Sequence, residues 1–171
     1  MWNIPATGAP NGTQTPVDSY DFGSGSSDKT ISCRWGPNGD IINSNNKKEI
    51  KMFKPGTPNT HVNMATLSSS ALEMDFFKLS STALIATLDG KVQQNTSSPF
   101  FTESSSVQVN SISIGKNGNY TVFGGASKIL YIYDQAATPN LIAKFPNFAT
   151  NINSVRISKN EDIIIVGTFG G

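Results

Sequence analysis

The sequence predicts an all-β chain built from repeated four-stranded antiparallel units, and three observations support that prediction. Between Val109 and Phe145 the chain contains four short apolar runs separated by turns rich in Gly, Asn or Pro. A similar arrangement recurs about every forty residues. Only 15% of the residues are charged and 37% are hydrophobic, which is typical of many short strands joined by turns. Four strands in about forty residues is the pattern of one blade of a β-propeller.

Composition excludes several classes of function. The net charge of +1 gives no electrostatic reason to expect nucleic acid or an anionic membrane as the main partner. Cys33 is the only cysteine, so no intramolecular disulfide can form. No apolar run approaches the roughly 20 residues needed to span a bilayer, and the N-terminus lacks a secretory signal pattern. We therefore expect a soluble protein of the reducing cytoplasm.

Residues 1–28 are predicted to form a flexible arm, because proline, glycine and polar residues dominate them. An alternative is that Trp2 ends a third strand of a blade. In that case the arm would contribute a closing strand to the last unit.

The first and second units are predicted at about residues 29–67 and 70–106. In the first, Ile31, Cys33 and Trp35 alternate with polar residues, and strands at 41–44, 49–53 and 61–67 follow. In the second, Leu72, Met74 and Phe76 alternate, and a hairpin is predicted at residues 89–90. Residues 95–106 are predicted to form a loop, so the fourth strand of this unit is not assigned.

The third and fourth units, at about residues 109–147 and 152–171, begin almost identically. Residues 152–160 match residues 109–117 nearly step for step. The central position of the first strand falls at Cys33, Met74, Ile112 and Val155, again about forty residues apart. The aromatic residues that we expect to pack between blades are Trp35, Phe76, Phe123 and Tyr131.

On these repeats the chain resembles WD-repeat β-propellers over residues 29–171. The best agreement is in the third unit, where Tyr133-Asp134 ends the third strand at the place of the family's Trp-Asp pair. No Gly-His pair opens a blade, and His61 is the only histidine, so the family's Asp-His-Ser-Trp hydrogen-bond set is not carried over. The resemblance implies a β-propeller fold whose stacked blades act as a scaffold for protein–protein interaction.

Three nearly complete units and the first two strands of another would leave the ring incomplete. An open ring would expose apolar blade faces and an unpaired strand edge. We therefore expect the missing blades to come from a longer parent chain, a second copy or another subunit.

The sequence shows no catalytic, cofactor or metal site. One Cys and one His cannot build a zinc site, and His61 lies in a turn-like setting without a nucleophile. The carboxylates of Asp40, Asp89, Asp134 and Asp162 fall at turns or strand ends, where Asp bonds to the backbone. No cluster of convergent charged groups is visible at the mouth of the channel.

We therefore expect a non-catalytic protein–protein interaction scaffold, by fold analogy within a cytoskeletal, ciliary or trafficking complex. The alternative is a propeller enzyme or carbohydrate-binding propeller whose site lies in other blades. For the basic group Lys47, Lys48, Lys51 and Lys54, the alternative to partner binding is a role in solubility and edge protection alone. The candidate partner contacts are Trp2, Lys47, Lys48, Lys51, Lys54 and Phe169.

Overall fold

The computed structural model describes residues 29–36, 38–54, 61–77, 82–95, 99–102 and 106–170. All regular secondary structure in these residues is β-strand, which confirms the all-β prediction. No helix capable of crossing a membrane occurs in this part of the chain. The predicted arm at residues 1–28, with Trp2, lies outside the described residues.

The strands of the described residues form three four-stranded sheets and one two-stranded sheet, all antiparallel and each made of strands consecutive in the chain. Sheet 1 consists of β1 (Thr30–Trp35), β2 (Ile41–Asn45), β3 (Glu49–Phe53) and β4 (His61–Thr66). Sheet 2 consists of β5 (Ala71–Phe76), β6 (Ala83–Thr87), β7 (Lys91–Gln94) and β8 (Pro99–Thr102). Sheet 3 consists of β9 (Val109–Ile114), β10 (Tyr120–Gly125), β11 (Leu130–Asp134) and β12 (Leu141–Phe145), and sheet 4 of β13 (Ile152–Ile157) and β14 (Ile164–Thr168).

Sheets 1 to 4 pack face to face in chain order, and their first strands lie closest together. Contacts join β1 to β5, β5 to β9, and β9 and β10 to β13. No comparable contact joins sheet 1 to sheet 4 within the described residues, so the sheets form a series and not a closed ring. Gly124 permits the close approach of β10 and β13, because a Cβ there would lie 2.8 Å from Cδ1 of Ile152.

The side chains of β6 alternate between two apolar clusters, one on each face of sheet 2. All five of its residues are buried. Ala83 and Ile85 belong to the apolar cluster between sheets 1 and 2, whereas Leu84 and Ala86 belong to the cluster between sheets 2 and 3. Because successive side chains of a strand point to opposite faces, an uninterrupted apolar run is what a strand between two neighbouring sheets requires.

The prediction of a loop at residues 95–106 is wrong at the centre of this segment, where β8 completes sheet 2. Phe101 is paired with Val92 of β7. Its ring lies 4.8 Å from the ring centroids of both Phe123 and Tyr131. Packing against sheet 3 thus favours a strand in a segment whose local sequence favours a loop.

The prediction that four aromatic residues pack between sheets is correct for Phe76, Phe123 and Tyr131, which are buried, and wrong for Trp35. Trp35 is 60% exposed. Its neighbour Arg34 is on the face of sheet 1 that meets sheet 2, so Trp35 lies on the opposite face.

Candidate functional site

Polar side chains from several sheets converge where the first strands meet. In β1, Arg34 is opposite Ile42, which packs against sheet 2, so Arg34 also points toward sheet 2. In β5, Glu73 is opposite Ala86, which packs against sheet 3. Arg156 of β13 completes the group. Each of these residues lies one position away from the centre of its strand.

Side chains of one first strand accept hydrogen bonds from the backbone of the next. In β5 the acceptors are carboxylates, and at the same two positions in β9 they are hydroxyl groups. The four donor–acceptor pairs are Ile112 N–H to Glu73 (3.3 Å), Ile114 N–H to Asp75 (2.7 Å), Val155 N–H to Ser111 (3.0 Å) and Ile157 N–H to Ser113 (3.2 Å). These bonds satisfy N–H groups at the junctions between sheets and fix the spacing of the first strands.

Glu73 is the centre of an ion-pair network that we call the Arg–Glu–Arg cluster (Arg34, Glu73 and Arg156). Its Oε1 accepts hydrogen bonds from Nη2 of Arg34 at 2.7 Å and from Nη2 of Arg156 at 2.5 Å. Its Oε2 accepts from Nη1 of Arg156 at 3.2 Å and from the hydroxyl of Ser111. The side chain of Glu73 is only 12% exposed, whereas those of Arg34 and Arg156 are 40% and 53% exposed. The cluster carries two positive charges and one negative charge.

The cluster borders a cavity of about 360 Å³, which we call the first-strand cavity. Side chains from all four sheets line it, and most of them are polar. The lining includes Ser32, Arg34, Asn110, Ser111, Ser154 and Arg156.

The neighbouring carboxylate of Asp75 does not change the charge balance of the cavity. Its Oδ1 lies 3.0 Å from the ammonium group of Lys116, which also donates to the carbonyl of Phe76 at 2.6 Å. Asp75 is thus neutralised by a lysine of its own, and the surplus positive charge of the Arg–Glu–Arg cluster remains.

The site offers groups for binding and little for covalent chemistry. Partial burial raises the pKa of the Cys33 thiol, and the charge of Arg34 only partly opposes this effect, so the thiol is protonated at neutral pH. Within the residues that the structure describes, no three His, Cys, Asp or Glu side chains are grouped as metal ligands. The predicted backbone role of Asp134 is correct, since it accepts hydrogen bonds from the N–H groups of Ala136 and Asn140.

The four lysines predicted as partner contacts lie at different places along β3. Lys47 and Lys48 are exposed in the turn before this strand, and Lys48 has a positive φ of 69°. The side chain of Lys51 is only 12% exposed, and its ammonium lies 3.3 Å from the carboxylate of Glu49. Lys54 is exposed after the other end of the strand. Their role in binding a partner stays a prediction.

The other two predicted contacts are Phe169 and Trp2. Phe169 follows β14 and is 76% exposed, the largest exposed fraction among the large hydrophobic residues that the structure describes. Trp2 lies outside the described ranges. Their role also stays a prediction.

From the sequence we found no cluster of convergent charged groups at a channel mouth, and we missed the cluster that forms where the first strands meet, although the repeat itself contained the signal. Arg34 and Arg156 both follow the central position of a first strand, at Cys33 and Val155 respectively, and Glu73 precedes the central Met74. Residues on either side of a central position share one face of the strand. Superimposing the repeats would therefore have placed these three charges on one side of their strands.

Among the solved structures that are similar to this chain are two designed proteins. The computationally designed Ika4 protein matches with a TM-score of 0.71 and 12% sequence identity, over 92% of this chain and 95% of that chain. The computationally designed Ika8 protein matches with a TM-score of 0.65 and 12% identity, over 81% of this chain and 42% of that chain. This chain thus spans less than half the length of Ika8. At such identity the similarity concerns the fold alone.

No protein-family model matches the chain. No curated protein matches it either.

Proposed function

We propose that the chain is a unit of a β-propeller of the WD-repeat type and acts as a non-catalytic scaffold for protein–protein interaction. The observation that carries the proposal is the outer edge of β14. In the described residues β14 pairs only with β13, whereas the other three sheets each have four strands. An unpaired edge presents backbone N–H and C=O groups that can pair with a strand of another chain.

The side chains around this edge are apolar. Ile163, Ile165 and Phe169 are 57%, 66% and 76% exposed. The alternate residues Ile164 and Val166 point the other way and pack on sheet 3. A partner that pairs with β14 would therefore remove exposed apolar surface from water in addition to satisfying the strand edge.

A cleft beside the edge supports the same proposal. Sheet 3 has four strands and sheet 4 has two in the described residues, so the outer part of sheet 3 extends past β14. The cleft left there has a volume of about 230 Å³ and is lined by Tyr120, Ile132, Ile142 and Ile164 among others. An added strand would place alternate side chains in this cleft while its backbone pairs with β14.

The partner we propose is another protein subunit or a second copy of this chain that completes the propeller. A second copy is favoured by an exposed apolar side chain at the opposite end of the series, since Trp35 on the outer face of sheet 1 is 60% exposed. Two copies could each present sheet 1 to the β14 end of the other, in a closed two-fold arrangement. A cytoplasmic setting in a cytoskeletal, ciliary or trafficking complex is part of the proposal and is based on fold analogy alone.

A propeller enzyme or carbohydrate-binding propeller is the second candidate. It is favoured by the Arg–Glu–Arg cluster, since convergent charged groups beside a cavity are common in ligand sites. The protonated Cys33 thiol gives no nucleophile next to that cluster. The scaffold proposal therefore has the stronger support.

The experiment that tests the scaffold proposal is light scattering combined with circular dichroism on the 171-residue chain and on the variant Ile165→Lys. We expect the unmodified chain to be β-rich and to associate, and the variant to stay β-rich but to be monomeric, because a lysine at the edge opposes strand addition. Leu88→Lys is the matched control, since Leu88 is 48% exposed in a turn of sheet 2, and it should associate like the unmodified chain. A β-rich monomer for the unmodified chain would contradict the proposal.

A further inference from the structure

We propose that the first-strand cavity binds a small oxyanion, that is, a ligand bearing a carboxylate or phosphate group. Its volume of about 360 Å³ lies in the range of small-molecule sites, roughly 300 to 1,000 Å³. The site is distinct from the β14 edge and goes beyond the scaffold function proposed above. Charge, hydrogen-bond capacity and exposure each support it.

The charge of the cavity favours an anion. Glu73 neutralises one of the two guanidinium groups, and Asp75 is paired with Lys116 at 3.0 Å. One positive charge therefore remains without a carboxylate of its own in the described part of the site. The other lining side chains include Ser32, Ser154 and Asn110, which are neutral and can donate hydrogen bonds.

The arginines have donors left for a ligand. Arg34 makes two hydrogen bonds with described residues, from Nη1 to the carbonyl of Cys33 at 3.0 Å and from Nη2 to Glu73 at 2.7 Å. A guanidinium group has five N–H donors in a planar fork, so three remain on Arg34. This geometry suits a carboxylate or a phosphate, which accepts two parallel hydrogen bonds from one guanidinium.

Exposure separates a binding role from a purely structural one. Neutralising the nearly buried Glu73 requires only one arginine, yet two converge on it. Both are substantially exposed, at 40% and 53%, and both line the cavity. Glu73 thus holds two guanidinium groups in place with part of each facing the cavity, which is the preorganisation that an anion site needs.

The test is isothermal titration calorimetry of the full chain with inorganic phosphate and with citrate, at constant ionic strength because salt screens charges. We expect saturable binding that Arg156→Gln weakens by at least about tenfold, since it removes charge-assisted hydrogen bonds. Lys159→Gln is the matched control: it removes one positive charge from an exposed turn at the end of β13 and should leave the affinity unchanged.

The variant Glu73→Gln distinguishes a binding site from a structural ion-pair network. It retains the size of the side chain and one acceptor oxygen that can still hold the guanidinium groups, but it leaves both arginine charges without a carboxylate, so phosphate should bind more tightly and should raise the melting temperature more than in the unmodified chain. This variant carries the test if Arg156→Gln does not fold. No saturable binding, an equal loss of affinity in Lys159→Gln, or no gain of affinity in Glu73→Gln would each overturn the proposal. A preference for phosphate over citrate, or the reverse, identifies the oxyanion within the proposed class.

Discussion

Sheets 3 and 4 begin with nearly the same sequence, at residues 109–117 and 152–160. In the residues that the structure describes, the junction between sheets 2 and 3 nevertheless buries more apolar side chains than the junction between sheets 3 and 4. At the first junction Phe123 is fully buried, and its ring centroid lies 4.8 Å from that of Phe101 and 5.3 Å from that of Tyr131. At the second junction the buried apolar cluster is smaller, although it includes the fully buried Ile152 and Val155, and Ile164 is only partly buried. Burial therefore depends on the strands available in the neighbouring sheet as well as on the apolar pattern of the strand itself.

Polar contacts also join sheets 3 and 4 at the second junction. Glu161, in the turn between β13 and β14, accepts hydrogen bonds from the N–H groups of Asn117, Gly118 and Asn119 in the turn between β9 and β10. The bonds from Gly118 and Asn119 are both 3.2 Å. One carboxylate thus satisfies three backbone donors across the junction.

The largest effect is expected for Phe123→Ala, which removes the aromatic core between sheets 2 and 3. We expect the free energy of unfolding to fall by about 3–5 kcal/mol, because a large buried ring leaves a cavity. Ile165→Ala, at a side chain 66% exposed on sheet 4, should change it by less than about 0.5 kcal/mol at protein concentrations low enough to keep the chain monomeric. Urea unfolding followed by circular dichroism measures both.

Similar losses of unfolding free energy for Phe123→Ala and Ile165→Ala would contradict the difference in burial between the junction of sheets 2 and 3 and the exposed face of sheet 4. A large loss for Ile165→Ala alone would indicate that a partner chain buries this residue in solution. That result would support association through β14.

Alternation and turn chemistry predict most of this fold because both are local. Gly90, predicted in a hairpin, has a φ of 82°, a conformation that glycine adopts without steric cost. Local patterns failed at Phe101, where contacts with sheet 3 decide the structure. They also failed at Trp35, which alternates as predicted but lies on a face that no sheet of the described residues covers. Both errors concern whether a neighbouring sheet packs against a given face of a strand, which a local sequence pattern does not determine.

The Arg–Glu–Arg cluster could be predicted only by comparing repeats. Arg34, Glu73 and Arg156 are isolated charges in the sequence, and each alone is typical of an exposed strand position. Their meeting depends on the packing of the first strands, which brings residues from sheets 1, 2 and 4 within hydrogen-bond distance. Repeat alignment gives the face of each strand, but only the packed structure gives the distances.

An intermediate effect is expected for Glu161→Gln, which keeps the size of the side chain but removes its charge. The amide offers one acceptor oxygen and places an NH₂ group among backbone N–H donors, so we expect a loss of about 1.5–3 kcal/mol. Hydrogen exchange should become faster at the amides of Asn117, Gly118 and Asn119. Unchanged hydrogen exchange at these three amides would contradict the role of the Glu161 carboxylate as their hydrogen-bond acceptor. The control variant Lys159→Gln, in the same turn, should leave the exchange rates of these amides unchanged.

The smallest effect is expected for Asp89→Asn in sheet 2, a polar contact within one sheet and not across a junction. Burial raises the pKa of Asp89, but hydrogen bonds from Lys91, Thr87 and Ser68, at 2.7, 2.6 and 2.8 Å, outweigh it and hold the pKa below its ordinary value. A carboxyl group whose pKa is lower in the folded state stabilises that state above its unfolded pKa of about 3.9, and this contribution is lost as the pH falls through the folded pKa.

Asp89→Asn should therefore lower the free energy of unfolding by less than about 1 kcal/mol near neutral pH, and this difference should shrink as the pH falls below about 4. Urea unfolding of both proteins over that range measures the difference. Lys91→Met is a second variant that removes the ammonium donor, so in its background the cost of Asp89→Asn should be smaller at neutral pH. A cost that grows with acidity would contradict the lowered pKa. A cost as large as that of Glu161→Gln would mean that polar contacts within a sheet matter as much as those between sheets, because both variants replace a carboxylate by its amide.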